Sequence, residues 1–517
     1  MKKFSLLLSI ILSYPCLAAD NPPNVLFILT DNQAASLLGT YGNPDIKTPH
    51  INKLADEGIK FTRAFAVNGM CSPTRATLMT GLMPSQHGIH SWLNDALLEQ
   101  WPKDWSAVAE FRTLPLTLRN RGYKTAMIGK WHLGQPWKAS IGYQHWVTFT
   151  DGHTVDFWDN TVIDNEKTYQ VRDKHIVDFF TEKAVEYLRN HEGDKPFYLQ
   201  LNYDGPYTNP PTNYGPARNR FYEQYVGKEF SSFPRTAYNN NLIDQLLDEN
   251  TSDFFRGKLR EGLEMHNDPA TMANVASQNT LVDDGVGKVL AVLKEKGLDK
   301  NTLIIFSSDQ GNFYGQHGLW QHTIVTKPAS MYETAMNIPL IIKHPGEIKG
   351  QRVSDALIGQ YDIPVTILDY LGIHDVKFEN SPGKSFMAIL EGNNGEIHQA
   401  VFIEQEETRV IRTKKYSYWK RLDTTGSSEL YDLENDPGQL RNAYNDPGYS
   451  DVIDMLDAQL TAFFDRYSDK EYDLWNGGGA KGSIDRPEVF QKLYGKDWQP
   501  KVEIKPAFSE SIQKPEF

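Results

Sequence analysis

Residues 24–33 have the sequence Asn24-Val25-Leu26-Phe27-Ile28-Leu29-Thr30-Asp31-Asn32-Gln33. The continuous apolar and β-branched run predicts a strand that is buried on both faces of its sheet. Polar residues follow it directly, at the carboxyl end where open α/β sheets hold their ligands. The stretch therefore predicts an α/β fold with functional side chains at Asp31 and Asn32.

Other parts of the chain repeat this pattern. The run from Thr302 to Ser308 is also apolar and ends in Asp309 and Gln310, and similar runs lie at residues 125–129 and 196–201. Helical patterns separate the strands, at residues 51–58 and 282–296. Strands that alternate with helices predict a doubly wound α/β domain, with a mostly parallel sheet covered by helices on both faces.

The strand pattern changes after Pro382-Gly383. Short alternating strands are predicted at residues 400–403, 408–412 and 415–420, followed by an amphipathic helix at 451–467. We predict a large α/β domain over residues 20–390 and a smaller α+β domain with a short antiparallel sheet over residues 391–517. Residues 215–267 show no clear period and are interpreted as an insertion over one face of the sheet, a candidate substrate loop.

The first 19 residues are typical of a secretory signal peptide. Lys2 and Lys3 precede an apolar run, and small residues follow at Ala18-Ala19. Residues 20–517 contain no stretch apolar enough to span a bilayer, so we predict an exported protein, periplasmic or extracellular, without a membrane anchor. Loss of the two lysines takes the formal net charge from −13 to −15. That charge argues against nucleic acid or an anionic membrane as the main partner.

Of the 2 cysteines, only Cys71 remains after removal of this segment, because Cys16 lies within it. A lone cysteine cannot form an internal disulfide. Its surroundings are Cys71-Ser72-Pro73-Thr74-Arg75-Ala76-Thr77-Leu78-Met79-Thr80-Gly81. Pro73 sets a turn, and Ala76 to Met79 are typical of a helix start, whose dipole favours a nucleophile or a bound anion at its N-terminus. The alternative is a buried structural cysteine.

Two further groups of residues suggest a charged site. Asp31, Asn32, Asp309 and Gln310 offer oxygen donors at two strand ends, which suits a hard divalent cation, Ca²⁺ in preference to Mg²⁺. Ordinary turn residues are the alternative interpretation. Lys130 and His132 follow the strand at 125–129, and their spacing allows both to converge on an oxyanion.

The motif at Cys71 resembles the signature of the type I, formylglycine-dependent sulfatases, Cys-x-Pro-(Ser/Thr)-Arg followed by Thr-Gly. Gly129-Lys130-Trp131-His132 resembles the second motif of that family. The segments Gln316 to Trp320 and Lys327 to Glu333 resemble its run from the metal strand to the catalytic lysine. The resemblance extends over residues 22–470 and implies an alkaline-phosphatase-like fold and the hydrolysis of sulfate esters.

The resemblance also implies roles for individual residues. A maturation enzyme would oxidise Cys71 to formylglycine (3-oxoalanine). Arg75, Lys130 and His132 would bind sulfate and the aldehyde hydrate, and Lys327 would stabilise the bridging oxygen. Ca²⁺ would be held by four residues together with residue 71: Asp31, Asn32, Asp309 and Gln310. Asn32 stands where a second aspartate is usual, and Gln310 where asparagine or histidine is usual.

The family usually shows a histidine where this chain has Tyr207. The proton donor to the leaving alcohol is therefore sought elsewhere, with His322 the first candidate and His153 the second, unless Lys327 acts alone. Tyr207, His153 and His317 are candidate substrate contacts. Arg218, Arg220 and Arg235 could pair with another sulfate or a uronate.

The predicted substrate is a sulfated carbohydrate. Carrageenan and other algal galactans, ulvan and host glycosaminoglycans all fit, and the algal group is favoured. Two alternatives stay open at this stage. One is a phosphodiesterase or phosphonate hydrolase of the same superfamily, and the other is a catalytically silent protein that binds sulfated glycans.

Overall fold

The computed structural model describes residues 22–94, 99–152, 156–207, 218–249, 251–393, 395–422 and 426–509. The predicted signal peptide, with Cys16, and the candidate His153 lie outside these residues. The strands β1 to β17 are Asn24–Thr30, Ile59–Phe65, Lys124–Gly129, His145–Phe149, Asn160–Asp164, Lys167–Val171, Phe197–Asn202, Thr302–Ser308, Phe313–Tyr314, Trp320–Gln321, Asn337–Lys343, Arg352–Ser354, Ile358–Gly359, Ala400–Gln405, Thr408–Thr413, Tyr416–Arg421 and Glu429–Asp432.

The helices α1 to α13 are Pro49–Asp56, Cys71–Thr80, Pro84–His87, Leu114–Asn120, Ile176–Arg189, Asn240–Leu247, Asp253–Met265, Pro269–Glu295, Glu333–Met336, Asp362–Tyr370, Met387–Leu390, Ser450–Tyr467 and Pro487–Tyr494. Short 3₁₀ turns lie between them, including Thr323–Val325. Within the described residues, no helix combines the length and apolar character that a membrane crossing requires.

A large mixed sheet forms the centre of the molecule. Among the described residues its strand order is β12-β2-β11-β8-β1-β7-β3-β4-β5-β6, with β13 also paired to β2. The pairings of β1 with β7 and β8, and of β3 with β7 and β4, are parallel. The pairings of β11 and β5 with their neighbours are antiparallel. The predicted mostly parallel sheet is confirmed.

Side chains of β1 alternate between two apolar layers. Phe27 and its alternate neighbours pack into a layer with helices α2, α4 and α10, whereas Leu26 and Ile28 pack against α1, α5 and α8. Every residue of β1 is buried. The strand therefore has a helical layer on each face, which is why its sequence is apolar at consecutive positions.

The C-terminal region forms a second, antiparallel sheet in the order β14-β15-β16-β17, with α12 packed against it. Inward residues of this sheet, including Val401, Ile403 and Trp419, join the same apolar cluster as the first face of the large sheet. The predicted short antiparallel sheet is confirmed, and its core is continuous with that of the large sheet.

The segment 215–267, interpreted from its sequence as lacking a period, contains helices α6 and α7 in its described part. Leu242 of α6 and Leu259 of α7 pack against Leu319 and Val325. Helices α6 and α7 of this segment thus pack on residues 313–325, whereas Phe221 packs against the second apolar layer of the large sheet. Short helices with polar caps at Asn239 and Ser252 give too few turns for their period to stand out.

We expect Gly129, the last residue of β3, to be essential for this fold. A Cβ at Gly129 would lie 1.8 Å from the Asn202 carbonyl oxygen, and φ is +115°. Gly129→Ala should therefore lower the free energy of unfolding by about 3 kcal/mol or more. The control is Gly122→Ala, since Gly122 has φ +86° and open space around the new Cβ, with an expected loss of about 1 kcal/mol. Equal losses in urea unfolding would contradict the expectation.

Candidate active site

Adjacent strand ends bring the predicted polar residues together. The register pairs Thr30 of β1 with Ser308 of β8, so Asp31 and Asp309 emerge side by side. The Asp309 N–H donates to the Thr30 carbonyl at 3.0 Å. Lys130 leaves β3 with its N–H bonded to the Asn202 carbonyl at 2.9 Å. Three strands thus deliver two carboxylates and one ammonium group to a single edge of the sheet.

Cys71 lies at the centre of this group, as the first residue of α2. Its side chain is buried, with the residue 3% exposed. The Sγ atom lies 3.4 Å from Lys130 Nζ, 3.2 Å from Gln310 Nε2 and 3.6 Å from Asp31 Oδ1. A group at this position therefore faces a cation, an amide and a carboxylate, and it also lies at the positive end of a helix dipole.

Two buried ion pairs surround Cys71. Arg75 donates from Nε and Nη2 to Asp309 Oδ2, at 3.0 Å and 2.7 Å. Lys130 Nζ donates to Asp31 Oδ2. All four side chains are buried. Because two acidic and two basic groups are present, the cluster is neutral without a bound ion, and addition of a divalent cation would make it positive.

The pKa values reflect this crowding. Burial raises the pKa of the Cys71 thiol to about 12, and the Asp31 carboxylate adds to the rise. Burial also raises the pKa of Asp309 to about 6, with Asp31 contributing repulsion. For Asp31 itself, the attraction of Lys130 and Arg75 outweighs the effect of burial and keeps the pKa below its ordinary value.

The donor set fits a divalent cation. Ligand atoms of Asp31, Cys71 and Asp309 lie within 4.8 Å of one another. Asn32 and Gln310 add two buried amide groups, and Gln310 Nε2 lies 2.6 Å from Asn32 Oδ1. The buried Asn32 Nδ2 has no hydrogen-bond partner among the described residues. A half-turn of either amide would present its oxygen instead, so that Asp31, Asp309 and the two amides would offer the oxygen donors that Ca²⁺ and Mg²⁺ prefer.

Three more of the predicted residues lie around the cluster. His132 Nε2 lies 3.0 Å from the Leu93 carbonyl oxygen, and the Leu93 N–H donates to Ser72, the neighbour of Cys71. The Tyr207 ring lies 5.2 Å from Lys130 Nζ and 6.4 Å from the His322 ring. His322 is buried and contributes to the lowered pKa of Asp31.

The structure does not bring Lys327 to the cluster. Its side chain is 40% exposed, and Nζ donates to Glu488 Oε1 at 2.8 Å. The backbone N–H of Lys327 is bonded to Asn241 in α6. His322, five positions earlier, lies beside the Tyr207 ring instead. The stabilising role that the family resemblance implies for Lys327 therefore has no geometric support in this structure.

Other predicted substrate contacts have structural partners. Arg220 is paired with Asp178 and Asp284. The Arg218 guanidinium lies 4.4 Å above the Tyr222 ring. His317 stacks on Tyr332 at 3.6 Å, and burial lowers its pKa to about 4. None of these contacts places Arg220, Arg218 or His317 beside Cys71.

The structure adds residues that the sequence did not single out. Gln360 Nε2 donates to the carbonyl oxygens of Asp309 and Ser308, at 2.5 Å and 3.2 Å. The Tyr314 hydroxyl donates to the Asn32 carbonyl. Asp204 is buried just beyond β7 and contributes to the raised pKa values of Lys130 and Tyr207. Asp204 could have been predicted from its position just after a strand, where α/β sheets place functional residues. No local sequence pattern marks Gln360.

A family model described as Sulfatase matches residues 23–373, which include every residue of this cluster. The chain belongs to the sulfatase family. A second model, described as N-sulphoglucosamine sulphohydrolase, C-terminal, matches residues 315–466. The protein is accordingly a sulfuric ester hydrolase, and its fold is the alkaline-phosphatase-like fold.

This sulfatase has relatives with assigned names. It is 26% identical to N-acetylglucosamine-6-O-sulfatase of Bacteroides thetaiotaomicron, over 87% of this chain and 88% of that protein. It is 26% identical to an ulvan-active sulfatase of Formosa agariphila, over 90% of each chain. A solved structure of a protein in complex with its substrate D-glucosamine-2-N,6-O-disulfate matches with a TM-score of 0.66 and 23% identity, over 86% of this chain and 98% of that one.

The donor set predicts that a divalent cation stabilises the sulfatase. At 100 times Kd, Ca²⁺ added to chelator-treated protein should raise the free energy of unfolding by about 2.7 kcal/mol. Asp309→Asn should lose most of this gain because it removes an anionic ligand. Asp283→Asn is the matched control, since Asp283 is also buried, also has a pKa of about 6, and bonds only to α1 backbone groups in the described structure. An equal gain in both variants would place the cation elsewhere.

Proposed function

We propose that this sulfatase is exported and removes sulfate from a carbohydrate through a formylglycine formed from Cys71. The observation that supports the proposal most strongly is the placement of Cys71 at the start of α2, in contact with Lys130, Asp31 and Gln310. The same position receives the positive end of the helix dipole. Such a site suits a nucleophile that attacks an anionic group.

Sulfated polysaccharide is the substrate class that the relatives favour. One is named for N-acetylglucosamine 6-O-sulfate and another for ulvan. Within this class we propose an algal polysaccharide, with carrageenan and ulvan as the first two to test and a glucosamine 6-sulfate oligosaccharide as the third. Comparison of sulfate release from these three substrates would show which position on the sugar carries the sulfate that the enzyme removes.

The environment of Cys71 disfavours the thiol itself as the nucleophile. With a pKa of about 12, almost none of it is thiolate at neutral pH. Oxidation to an aldehyde, followed by hydration, replaces the thiol with two hydroxyl groups at the same place. Because Cys71 is buried in the folded protein, we expect the maturation enzyme to act before folding is complete.

Positive charge is the second requirement of the site. A sulfate monoester is anionic, so attack by a hydroxyl group needs cations around its oxygens. Arg75 and Lys130 supply two of them, each held rigid by a carboxylate. We propose that Asp31, Asn32, Asp309 and Gln310 hold Ca²⁺, which when bound supplies further positive charge to the sulfate oxygens.

The proposed reaction has two stages. One hydroxyl of the residue 71 hydrate attacks sulfur, a new S–O bond forms, and the S–O bond to the alcohol breaks as the alcohol takes up a proton. The second hydroxyl then loses its proton, the aldehyde C=O reforms, and sulfate leaves with the oxygen that attacked. We propose that His132 accepts protons from the hydrate. Water rehydrates the aldehyde, so the sum is ester plus water to alcohol plus hydrogen sulfate.

We propose His322 as the proton donor to the leaving alcohol. Its ring lies 6.4 Å from the Tyr207 ring, and it is among the groups that lower the pKa of Asp31. Lys327, the residue expected to assist departure, is ion-paired with Glu488 at the surface. The replacement of the usual histidine by Tyr207 therefore moves the acid to another element instead of removing it.

Cys71→Ala tests the nucleophile. Sulfate release from the polysaccharide panel should fall by at least about 10³-fold, as expected when a covalent nucleophile is lost. Mass spectrometry of the wild-type peptide that contains residue 71 should show the aldehyde, and denaturing thiol titration should find almost no sulfhydryl. Full activity of protein with an unmodified thiol would contradict the mechanism. Faster cleavage of phosphate diesters than of sulfate esters would favour a phosphodiesterase.

His322→Gln tests the acid. Loss of a general acid should slow release from a sugar sulfate by about 100-fold. Sulfate esters of acidic phenols, whose leaving groups need no proton, should lose much less. His317→Gln is the control because His317 stacks on Tyr332 in the same chain segment, and it should leave both rates nearly unchanged. The same loss with both classes of ester would exclude the proposed role.

A further inference from the structure

The segment that carries His322 is held by a buried arginine from the far end of the chain. Arg486 lies just before α13 and is 3% exposed. Its Nη2 donates to the carbonyl oxygens of Ile324, at 3.0 Å, and Thr326. Ile324 lies within the 3₁₀ turn Thr323–Val325 that begins after His322, and Thr326 follows that turn.

A carboxylate holds the arginine in turn. Arg486 Nη1 donates to Glu407 Oε1, and the same oxygen accepts the N–H of Ala329 at 2.9 Å. Glu407 lies in the turn between β14 and β15 and is buried. Arg486 and Glu407 thus bind the segment 324–329 together. Arg486 binds the carbonyl groups of Ile324 and Thr326, and Glu407 binds the N–H of Ala329.

Neighbours of Glu407 complete the attachment. Gln405 Oε1 accepts the Thr323 hydroxyl at 2.6 Å and the Gly69 N–H at 3.3 Å. Glu406 accepts the backbone N–H groups of Asp485 and Arg486, at 2.7 Å and 3.1 Å. Burial, with the nearby Asp485 and Glu407, holds the pKa of Glu406 well above its usual range.

We propose that Arg486 is a positioning residue for sulfate-ester cleavage, because it holds His322 at the cluster through the Ile324 and Thr326 carbonyl groups. The proposal rests on the role proposed above for His322. A single 3₁₀ turn is too short to fix a side chain by itself, whereas charged hydrogen bonds in a buried site are strong. A displacement of about 1 Å in a catalytic group can cost about 10²-fold in rate.

The position of Arg486 in the sequence explains why no motif marks this role. Arg486 lies beyond both matched segments, residues 23–373 and 315–466. Its interaction with Ile324 spans residues more than one hundred positions apart, so no local motif signals it. In the part of the chain that the structure describes, the side chain donates to two backbone carbonyl groups and to Glu407.

Arg486→Lys is the test, with Arg352→Lys as the matched control. Arg352 also donates to two backbone carbonyl groups, those of Ile389 and Leu390, but on α11 and away from the cluster. Lysine keeps the charge and loses the planar fork that spans three acceptors. For a sugar sulfate we expect Arg486→Lys to lower kcat by about 10- to 100-fold with KM nearly unchanged, and Arg352→Lys to leave kcat within about twofold.

The double variant with His322→Gln provides a readout that a purely structural role would not affect. Because Arg486 is proposed to act through His322, adding Arg486→Lys to His322→Gln should cause little further loss. Like His322→Gln, Arg486→Lys should also slow sugar sulfates more than esters of acidic phenols. The proposal would be overturned if the losses of kcat from Arg486→Lys and His322→Gln multiplied in the double variant. It would also be overturned if kcat fell in proportion to the unfolded fraction in both Arg486→Lys and Arg352→Lys.

A milder variant keeps the test decisive if Arg486→Lys does not fold. Thr323→Val removes the hydrogen bond to Gln405 and keeps the side-chain volume, and it should lower kcat in the same direction with the same dependence on the leaving group. An unchanged kcat would count against positioning of this segment. If the wild-type protein released sulfate from no ester, the proposed function itself would be rejected. If His322→Gln lowered kcat but Arg486→Lys did not, only the positioning role would be rejected.

Discussion

The buried pairing of Asp31 with Lys130 and of Asp309 with Arg75 is the constraint on which the site depends. An isolated charge in such a place would be costly, and loss of one partner from a buried pair typically destabilises a protein by about 3–5 kcal/mol. Here two acids and two bases compensate one another. The sheet therefore has to deliver three strand ends to one place, and α2 has to begin with Cys71 beside them, before any chemistry is possible.

Much of this arrangement could be predicted from the sequence because it follows from local patterns. β1 matches the predicted residues 24–30, and the parallel register places Asp31 and Asp309 next to each other as expected for polar residues at strand ends. A helix is found where the sequence predicts one, but it begins earlier than the expected Ala76 to Met79, at Cys71. These features need only a buried strand, a helix start and the geometry of a parallel sheet.

The remaining part of the site depends on where irregular segments turn. His322 and Lys327 lie five positions apart in a stretch without regular period. The first lies beside Tyr207, whereas the second is bonded to α6 and paired with Glu488. Arg220 had the right charge for a substrate contact, but Asp178 and Asp284 already bind it. Sequence can predict the type of group in such segments, but not which group a distant element turns inward.

The C-terminal sheet is consequently part of the active site's framework. The Glu404 N–H donates to the Val67 carbonyl at 2.8 Å, and the Glu404 carbonyl accepts Asn68 Nδ2 at 2.7 Å. Gln405, the next residue, contacts Gly69 as well as Thr323. One strand end thus touches both the loop before Cys71 and the loop after His322. In the proposed mechanism the nucleophile and the acid lie on opposite sides of the same sulfur atom. A single rigid element that contacts both loops would therefore set their separation, which neither loop could set alone.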